Sequence, residues 1–208
     1  MTDRRMAISI SKRQTNEHSL LSNGPSLVIS EAASYLVEKI IEYRIPTGRP
    51  IILILECSGT KPWTFSYSRR ILAGLLTGAN WREKVEILTL SSMLGIVPSC
   101  LEQEFPAANY DWDIDGENPS HFLEYVLEIN RRRVRDFFDK QSGLESKTCI
   151  AATHGRYKKM LGDVGTLFGR FTDLGWSDTR DYRSLDIVRV HDRLIEELSS
   201  RSYGSISG

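Results

Sequence analysis

The sequence has few cysteines, no long apolar run and no net charge. Its three cysteines, Cys57, Cys100 and Cys149, are far apart and form no Cys-x-x-Cys pair, which indicates a reducing compartment. The first residues lack the apolar segment of a secretory leader, and no apolar run approaches the ~18–20 residues that span a bilayer. The spacing of Cys57, Cys100 and His154 shows no metal-ligand pattern, so we expect no metal. We also expect a cytoplasmic protein with no membrane partner and no cofactor.

The lack of net charge removes one simple indication of nucleic-acid binding. The 27 basic and 27 acidic side chains balance, yet a local patch still binds phosphates when acidic residues elsewhere compensate. Two clusters are basic, one at Arg131, Arg132, Arg133 and Arg135 and one at Arg156, Lys158 and Lys159. If they flank the loop after the first strand, Arg132, Arg156 and Lys158 are the predicted phosphate contacts. A solvated helix face is the alternative.

A chain of 208 residues suits one domain of moderate size. We predict a flexible basic arm at 1–28, a single α/β catalytic domain at 29–200 and a frayed tail at 201–208. Periodicity and turn residues predict a helix from Ser30, a strand at 50–55, a helix at 67–76, a strand at 85–90, an irregular loop at 95–116, a helix at 119–141, a strand at 147–152 and a helix at 185–199. This alternation predicts an α/β fold with a mainly parallel sheet flanked by helices, whose strands deliver their following loops to one edge.

The loop after the first strand carries the most reactive side chains of the sequence. Cys57 is a candidate nucleophile, and Lys61 would favour its thiolate form. Ser58 opens a turn whose donors suit an anion, although the Gly-x4-Gly-Lys-Ser pattern of a Walker loop is absent. The alternative is that Cys57 is a small buried apolar residue and that Lys61 is solvated.

Two further places supply groups for proton transfer. Tyr110 and Asp111 lie in an acidic aromatic loop, which favours either base recognition or a solvated loop. His154 directly follows the predicted strand at 147–152, where it suits a general acid or a phosphate ligand. A surface histidine at a turn is the alternative.

The segment Cys57-x3-Lys61-Pro62-Trp63-x2-Ser66 resembles the signature of the archaeosine synthase core domain, Cys-x3-Lys-Pro-Tyr-x2-Ser-x2-His. Here Trp63 replaces the tyrosine, Arg69 occupies the final histidine position, and Glu56 stands where that family usually has proline. A second stretch, from Leu94-Gly95-Ile96-Val97-Pro98 through Leu101-Glu102 and Pro106 to Tyr110-Asp111, is similar to the same family in the same order.

The resemblance implies a three-layer α/β sandwich similar to the uracil-DNA glycosylase type and an enzyme acting on the nitrile of 7-cyano-7-deazaguanine in a polynucleotide. A free-standing core of this size most resembles the DpdC-like proteins of bacterial DNA-modification clusters, which convert the cyano base in DNA into 7-amido-7-deazaguanine. The expected partners are DNA containing the cyano base and the transglycosylase that inserts it.

Two routes to the amide fit these residues. In the first, the Cys57 sulfur forms a thioimidate that water then hydrolyses. In the second, Asp111 activates water while Lys61 or Ser66 stabilises the imidate nitrogen.

In either route the flipped base is expected to stack on Trp63, Phe65 or Tyr110, with Arg69 among the nucleic-acid contacts. The alternatives are addition of lysine or ammonia to the same nitrile in tRNA, and a non-catalytic nucleic-acid-binding module, which Arg69 in the histidine position favours.

Overall fold

The structure is a computed structural model that describes residues 28–58, 60–78, 81–108, 114, 121–175, 189–197 and 199–200. Its helices are α1 at Glu31–Glu42, α2 at Tyr67–Gly78, α3 at His121–Asp139, α4 at Gly155–Leu161 and α5 at 189–197. Its strands are β1 at Ile51–Glu56, β2 at Val85–Ser91, β3 at Gly95–Pro98, β4 at Thr148–Ala152 and β5 at Arg170–Asp173. Almost all of the predicted arm at 1–28, and the tail at 201–208, lie outside the described residues.

The described strands form one sheet in the order β3-β2-β1-β4-β5. Strand β1 runs parallel to β2 and β4, β5 runs parallel to β4, and β3 is antiparallel to β2. The prediction of an α/β fold with a mainly parallel sheet is therefore confirmed.

The side chains of successive β1 residues are buried on opposite faces of the sheet, as expected for a strand covered on both sides. Ile52 and Ile54 pack in one hydrophobic cluster with residues of α1, α3 and α4. Ile51 and Leu53 pack in a second cluster with residues of α2 and α5. The domain thus has three layers, helices on sheet on helices.

Helix α3 forms polar contacts with the loop that follows β2 and with the start of the described chain. Asn130 is buried and its amide donates to the carbonyl of Ser92 at 2.5 Å. Arg133 donates to the carbonyls of Met93 and Val28, each at 2.7 Å, and burial lowers the pKa of Arg133 to about 10. Arg133, which the sequence places in a basic cluster, is therefore turned toward the interior.

The structure differs from the prediction in its shortest elements. Part of the predicted irregular loop at 95–116 is the edge strand β3, where Pro98 is tolerated because an edge strand need not donate on both sides. Helix α4 and strand β5 were not predicted, since seven and four residues are too few to show a period. No helix among the described residues combines the length and apolar composition needed to cross a membrane.

Gly95, the first residue of β3, has φ +85°, and a Cβ there would lie 2.9 Å from the Arg133 Cβ and 3.0 Å from the Asn130 carbonyl oxygen. Gly95→Ala should therefore lower the free energy of unfolding by about 1–3 kcal/mol, measured by urea titration. The control is Gly74→Ala in α2, where nothing lies within 4 Å and the change should be neutral or stabilising. Equal stability of Gly95→Ala and the wild type would contradict the packing of β3 on α3.

Candidate active site

The carboxyl ends of β1, β2 and β4 meet at one edge of the sheet because these strands are parallel and in register. Leu55 lies opposite both Thr89 and Ala152. The residues that follow are therefore brought together: Glu56 and Cys57 after Leu55, Ser91 and Ser92 at the end of β2, and Thr153 and His154 after β4. The sequence-based prediction of this shared edge is confirmed.

Cys57 sits at the centre of a small polar cluster. Its backbone N–H donates to the carbonyl of Leu90 at 2.8 Å. Its Sγ lies 3.0 Å from the Tyr157 phenol oxygen and 3.8 Å from Ser92 Oγ, and those two oxygens are 2.6 Å apart. We call Cys57, Tyr157 and Ser92 the thiol–hydroxyl cluster. Tyr157 is buried whereas Cys57 is partly exposed, so the thiol is the more exposed of these two members of the cluster.

Ile114 fixes the loop after β3 against this cluster. Its backbone N–H donates to Ser92 Oγ at 3.2 Å, and its carbonyl accepts from Arg156 Nη1 at 2.5 Å. Arg156, a predicted phosphate contact, is thus engaged by a backbone carbonyl. Tyr110 and Asp111, predicted in the same loop, lie outside the described residues.

His154 is paired with Glu56 beside the thiol–hydroxyl cluster. One carboxylate oxygen of Glu56 lies 2.5 Å from His154 Nδ1 and accepts from the His154 backbone N–H at 3.3 Å. A carboxylate held on Nδ1 fixes the orientation and tautomer of an imidazole. The rings of His154 and Tyr157 are 6.5 Å apart between centroids, so the pair and the cluster share one site.

Lys61 holds the loop that presents Cys57. Its Nζ donates to the carbonyl of Ser58 at 2.6 Å and lies 5.9 Å from the centroid of the Trp63 ring. The Ser58 hydroxyl donates to the carbonyl of Thr60 at 3.1 Å. These contacts give Lys61 and Ser58 a part in shaping the loop.

The predicted base-stacking residues have very different exposures. Trp63 is fully buried in the core, whereas Phe65 is 63% exposed. Ser66 is buried and its Oγ accepts from the Arg69 backbone N–H at 3.3 Å, which caps the start of α2. Of the predicted stacking residues, Phe65 is therefore open to a base and Trp63 is not, while Tyr110 lies outside the described residues.

Arg69 is not a surface contact, contrary to the sequence-based assignment to phosphates, because it is only 8% exposed. Its Nη2 donates to Thr89 Oγ1 at 2.6 Å, and that hydroxyl donates to Glu102 Oε1 at 2.7 Å. Nη1 has no hydrogen-bond partner among the described residues. Burial lowers the pKa of Arg69 and raises the pKa of Glu102, and the attraction between the two charges opposes both shifts.

The two basic clusters of the sequence meet in a groove of about 610 Å³ between α3 and α4. Arg131 lines it from α3, and Lys158 and Lys159 line it from α4, together with Glu124 and Glu128. Lys158 also forms an ion pair with Asp173 at 2.5 Å. Arg132 is exposed on α3. We call this surface the α3–α4 groove.

Three residues of the site were missed from the sequence as contributors: Glu56, Ser92 and Tyr157. Ser92 directly follows β2, just as Cys57 directly follows β1, so the rule about strand ends marks both positions. Tyr157 follows His154 by three residues, about one helical turn. For Glu56 the sequence predicts no role in the site, and it only shows glutamate where the resembled family usually has proline.

The fold and the site define a three-layer α/β domain with a partly exposed thiol, two hydroxyls and a carboxylate–imidazole pair at the carboxyl edge of its sheet. Residues 34–179 match the family model described as a domain of unknown function, DUF5591. The chain belongs to this family.

Curated relatives agree with the motif resemblance, which is confirmed. The chain is 35% identical over 131 residues to archaeosine synthase subunit alpha of Methanosarcina acetivorans, covering 63% of this chain and 20% of that protein. It is 36% identical over 77 residues to archaeosine synthase subunit alpha of Thermoplasma acidophilum, covering 37% and 15%. It is 30% identical over 90 residues to archaeosine synthase of Haloferax volcanii, covering 43% and 14%. The chain thus spans a fifth or less of these relatives' length.

A solved structure shares the fold. The crystal structure of AF0587, a protein of unknown function, superposes with a TM-score of 0.51 and 21% identity, covering 78% of this chain and 49% of that one.

Glu102→Leu should lower the free energy of unfolding by about 3 kcal/mol, because it leaves the buried Arg69 charge without its carboxylate. The double variant Arg69→Met/Glu102→Leu should be more stable than Glu102→Leu alone, since both charges are then gone. Urea titration of the wild type, both single variants and the double variant measures the coupling. Strictly additive losses would show that the two charges do not depend on each other.

Proposed function

We propose that this domain hydrates the nitrile of 7-cyano-7-deazaguanine in DNA to the amide through a thioimidate on Cys57. The main observation in support is the position of the Cys57 sulfur. It lies at the carboxyl edge of the sheet, 3.0 Å from the Tyr157 phenol and beside the Glu56–His154 pair. Membership of a family with archaeosine synthase relatives supports a modified deazaguanine as the electrophile.

Hydration of a nitrile by this route has two stages. First the sulfur bonds to the nitrile carbon, one carbon–nitrogen π bond breaks, and the nitrogen takes up a proton. Water then adds to the thioimidate carbon and the carbon–sulfur bond breaks, so that one water proton ends on nitrogen and the other on sulfur. The product is the amide only if the sulfur leaves, because loss of ammonia would give an acid.

The Glu56–His154 pair suits the second stage. A histidine whose ring is oriented by a carboxylate is the common arrangement for removing a proton from water. The competing route, in which Asp111 activates water and Lys61 or Ser66 stabilises the imidate nitrogen, is less well supported. Lys61 Nζ contacts the Ser58 carbonyl, and the Ser66 hydroxyl caps α2.

The base must leave the nucleic-acid stack before its nitrile can meet Cys57. Phe65, exposed in the same loop as Cys57, is the proposed stacking surface. Arg131, Arg132, Lys158 and Lys159 are the proposed phosphate contacts, along or next to the α3–α4 groove.

A second candidate is addition of an amine, lysine or ammonia, to the same nitrile in tRNA. The names of the curated relatives favour it, since all three are archaeosine synthases or their alpha subunits. The site chemistry up to the thioimidate is the same, and only the second nucleophile and the polynucleotide differ.

Incubating the protein with DNA or tRNA that contains the cyano base, followed by nucleoside mass measurement, tests these proposals. We expect the nucleoside in DNA to gain the mass of one water. Cys57→Ala and Cys57→Ser should both abolish the gain, because neither side chain forms the thioimidate. The matched control is Cys100→Ala, which removes an exposed thiol elsewhere and should leave conversion unchanged.

The outcomes separate the candidates. If the nucleoside instead gained the mass of one ammonia or one lysine, with that amine supplied in the reaction, the result would contradict hydration and support amine addition. If the nucleoside mass changed in neither DNA nor tRNA, the result would contradict catalysis and support a non-catalytic nucleic-acid-binding module. Near-normal conversion by Cys57→Ala would eliminate the thioimidate and favour direct attack by water.

Binding to DNA should weaken with salt, because phosphate contacts release counterions. Arg131→Ala and Lys159→Ala should each reduce the slope of log Kd against log salt concentration by about 1, measured by fluorescence anisotropy. Lys84→Ala is the control, since Lys84 is exposed just before β2, at the opposite end of the strands from Cys57. Binding that does not depend on salt would contradict the proposed phosphate contacts in the α3–α4 groove. An equal change of the salt slope in Lys84→Ala would contradict them as well.

A further inference from the structure

We infer that Tyr157 is the acid that gives a proton to the nitrile nitrogen while the Cys57 sulfur adds to the nitrile carbon. This inference rests on the proposed function and names a catalytic residue that the sequence did not suggest. It starts from position: the Tyr157 phenol oxygen lies 3.0 Å from Cys57 Sγ.

A donor in contact with the sulfur is also well placed for the nitrogen. In a thioimidate the sulfur and the nitrogen are bonded to the same carbon, so a nitrile attacked by Sγ brings its nitrogen next to the sulfur. A general acid must lie within hydrogen-bond reach of the atom that it protonates, about 2.6–3.2 Å. The Tyr157 oxygen lies at such a distance, 3.0 Å, from the sulfur to which the nitrile carbon would be bonded, and its position is fixed because Tyr157 is only 2% exposed and packs in the core.

The hydrogen bonds around Tyr157 have an order that suits this task. The Ile114 N–H can only donate, so Ser92 Oγ accepts from it at 3.2 Å. The Ser92 hydroxyl proton can then point to the Tyr157 oxygen at 2.6 Å. In this arrangement the phenolic proton of Tyr157 is directed toward the side of the sulfur and of the incoming nitrile.

The proton balance of the first stage closes within the thiol–hydroxyl cluster. As the carbon–sulfur bond forms, the thiol proton passes to the Tyr157 oxygen and the phenolic proton passes to the nitrile nitrogen. One carbon–nitrogen π bond breaks, and no net charge is created. Lys61 is the other nearby donor, but its Nζ binds the Ser58 carbonyl at 2.6 Å, and the Glu56–His154 pair is assigned to the water step.

Tyr157→Phe tests the inference because it removes the hydroxyl and keeps the ring that packs in the core. The rate of covalent adduct formation between the protein and an oligonucleotide containing the cyano base, followed by intact mass in single-turnover experiments, should fall about 100-fold or more. Tyr35→Phe, which alters an exposed tyrosine on α1, should leave the rate unchanged. Thermal unfolding of Tyr157→Phe should match the wild type within a few degrees.

A fluorinated tyrosine at position 157 provides a second test that preserves the hydroxyl and the fold. Because fluorine makes the phenol more acidic, the pH dependence of adduct formation should shift to lower pH. An unshifted profile, or a wild-type rate in folded Tyr157→Phe, would overturn the role of Tyr157 while the thioimidate stands. Absence of any adduct or product with the wild-type protein would instead overturn the proposed function and this inference with it.

Discussion

The structure depends on the register of β1 between two parallel neighbours. Leu55 pairs with Thr89 on one side and with Ala152 on the other, so three strands end at the same level. Since the side chains of β1 pack against helices on both faces of the sheet, a change in its register would disturb both packed layers. The positions of Cys57, Ser92 and His154 at one edge therefore follow from the same packing that stabilises the domain.

The site end of the sheet holds polar groups that a purely structural core would avoid. Arg69, Thr89 and Glu102 form a buried chain of hydrogen bonds, and burying two charges in this way is seldom favourable compared with apolar side chains of the same volume. Arg69 Nη1 and Thr153 Oγ1 remain without a hydrogen-bond partner among the described residues. Buried polar atoms without a protein partner are uncommon in folded domains, so the polarity of this part of the core is unusual.

The sequence predicts the parallel core because short apolar runs bounded by turn residues are local signals. Strands β1, β2 and β4 and the edge that they share could be predicted from such runs, and Cys57 and His154 could be found at their ends. Other features depend on which residues approach across the fold. The inward turn of Arg69 depends on Thr89, twenty positions away, and the bond between Cys57 and Tyr157 spans one hundred. No local pattern encodes such partners.

The motif that points to the family combines two kinds of residue. Trp63 anchors the loop in the core, the Ser66 hydroxyl caps α2, and the Lys61 ammonium binds the carbonyl that follows Cys57. These three build the loop, and Cys57 is the member whose sulfur is partly exposed at the shared edge of the strands. In this chain each of these three members of the motif has its own structural contact. The replacement of the family's histidine by Arg69 then changes a buried charge beneath the loop while the loop that presents the thiol is kept.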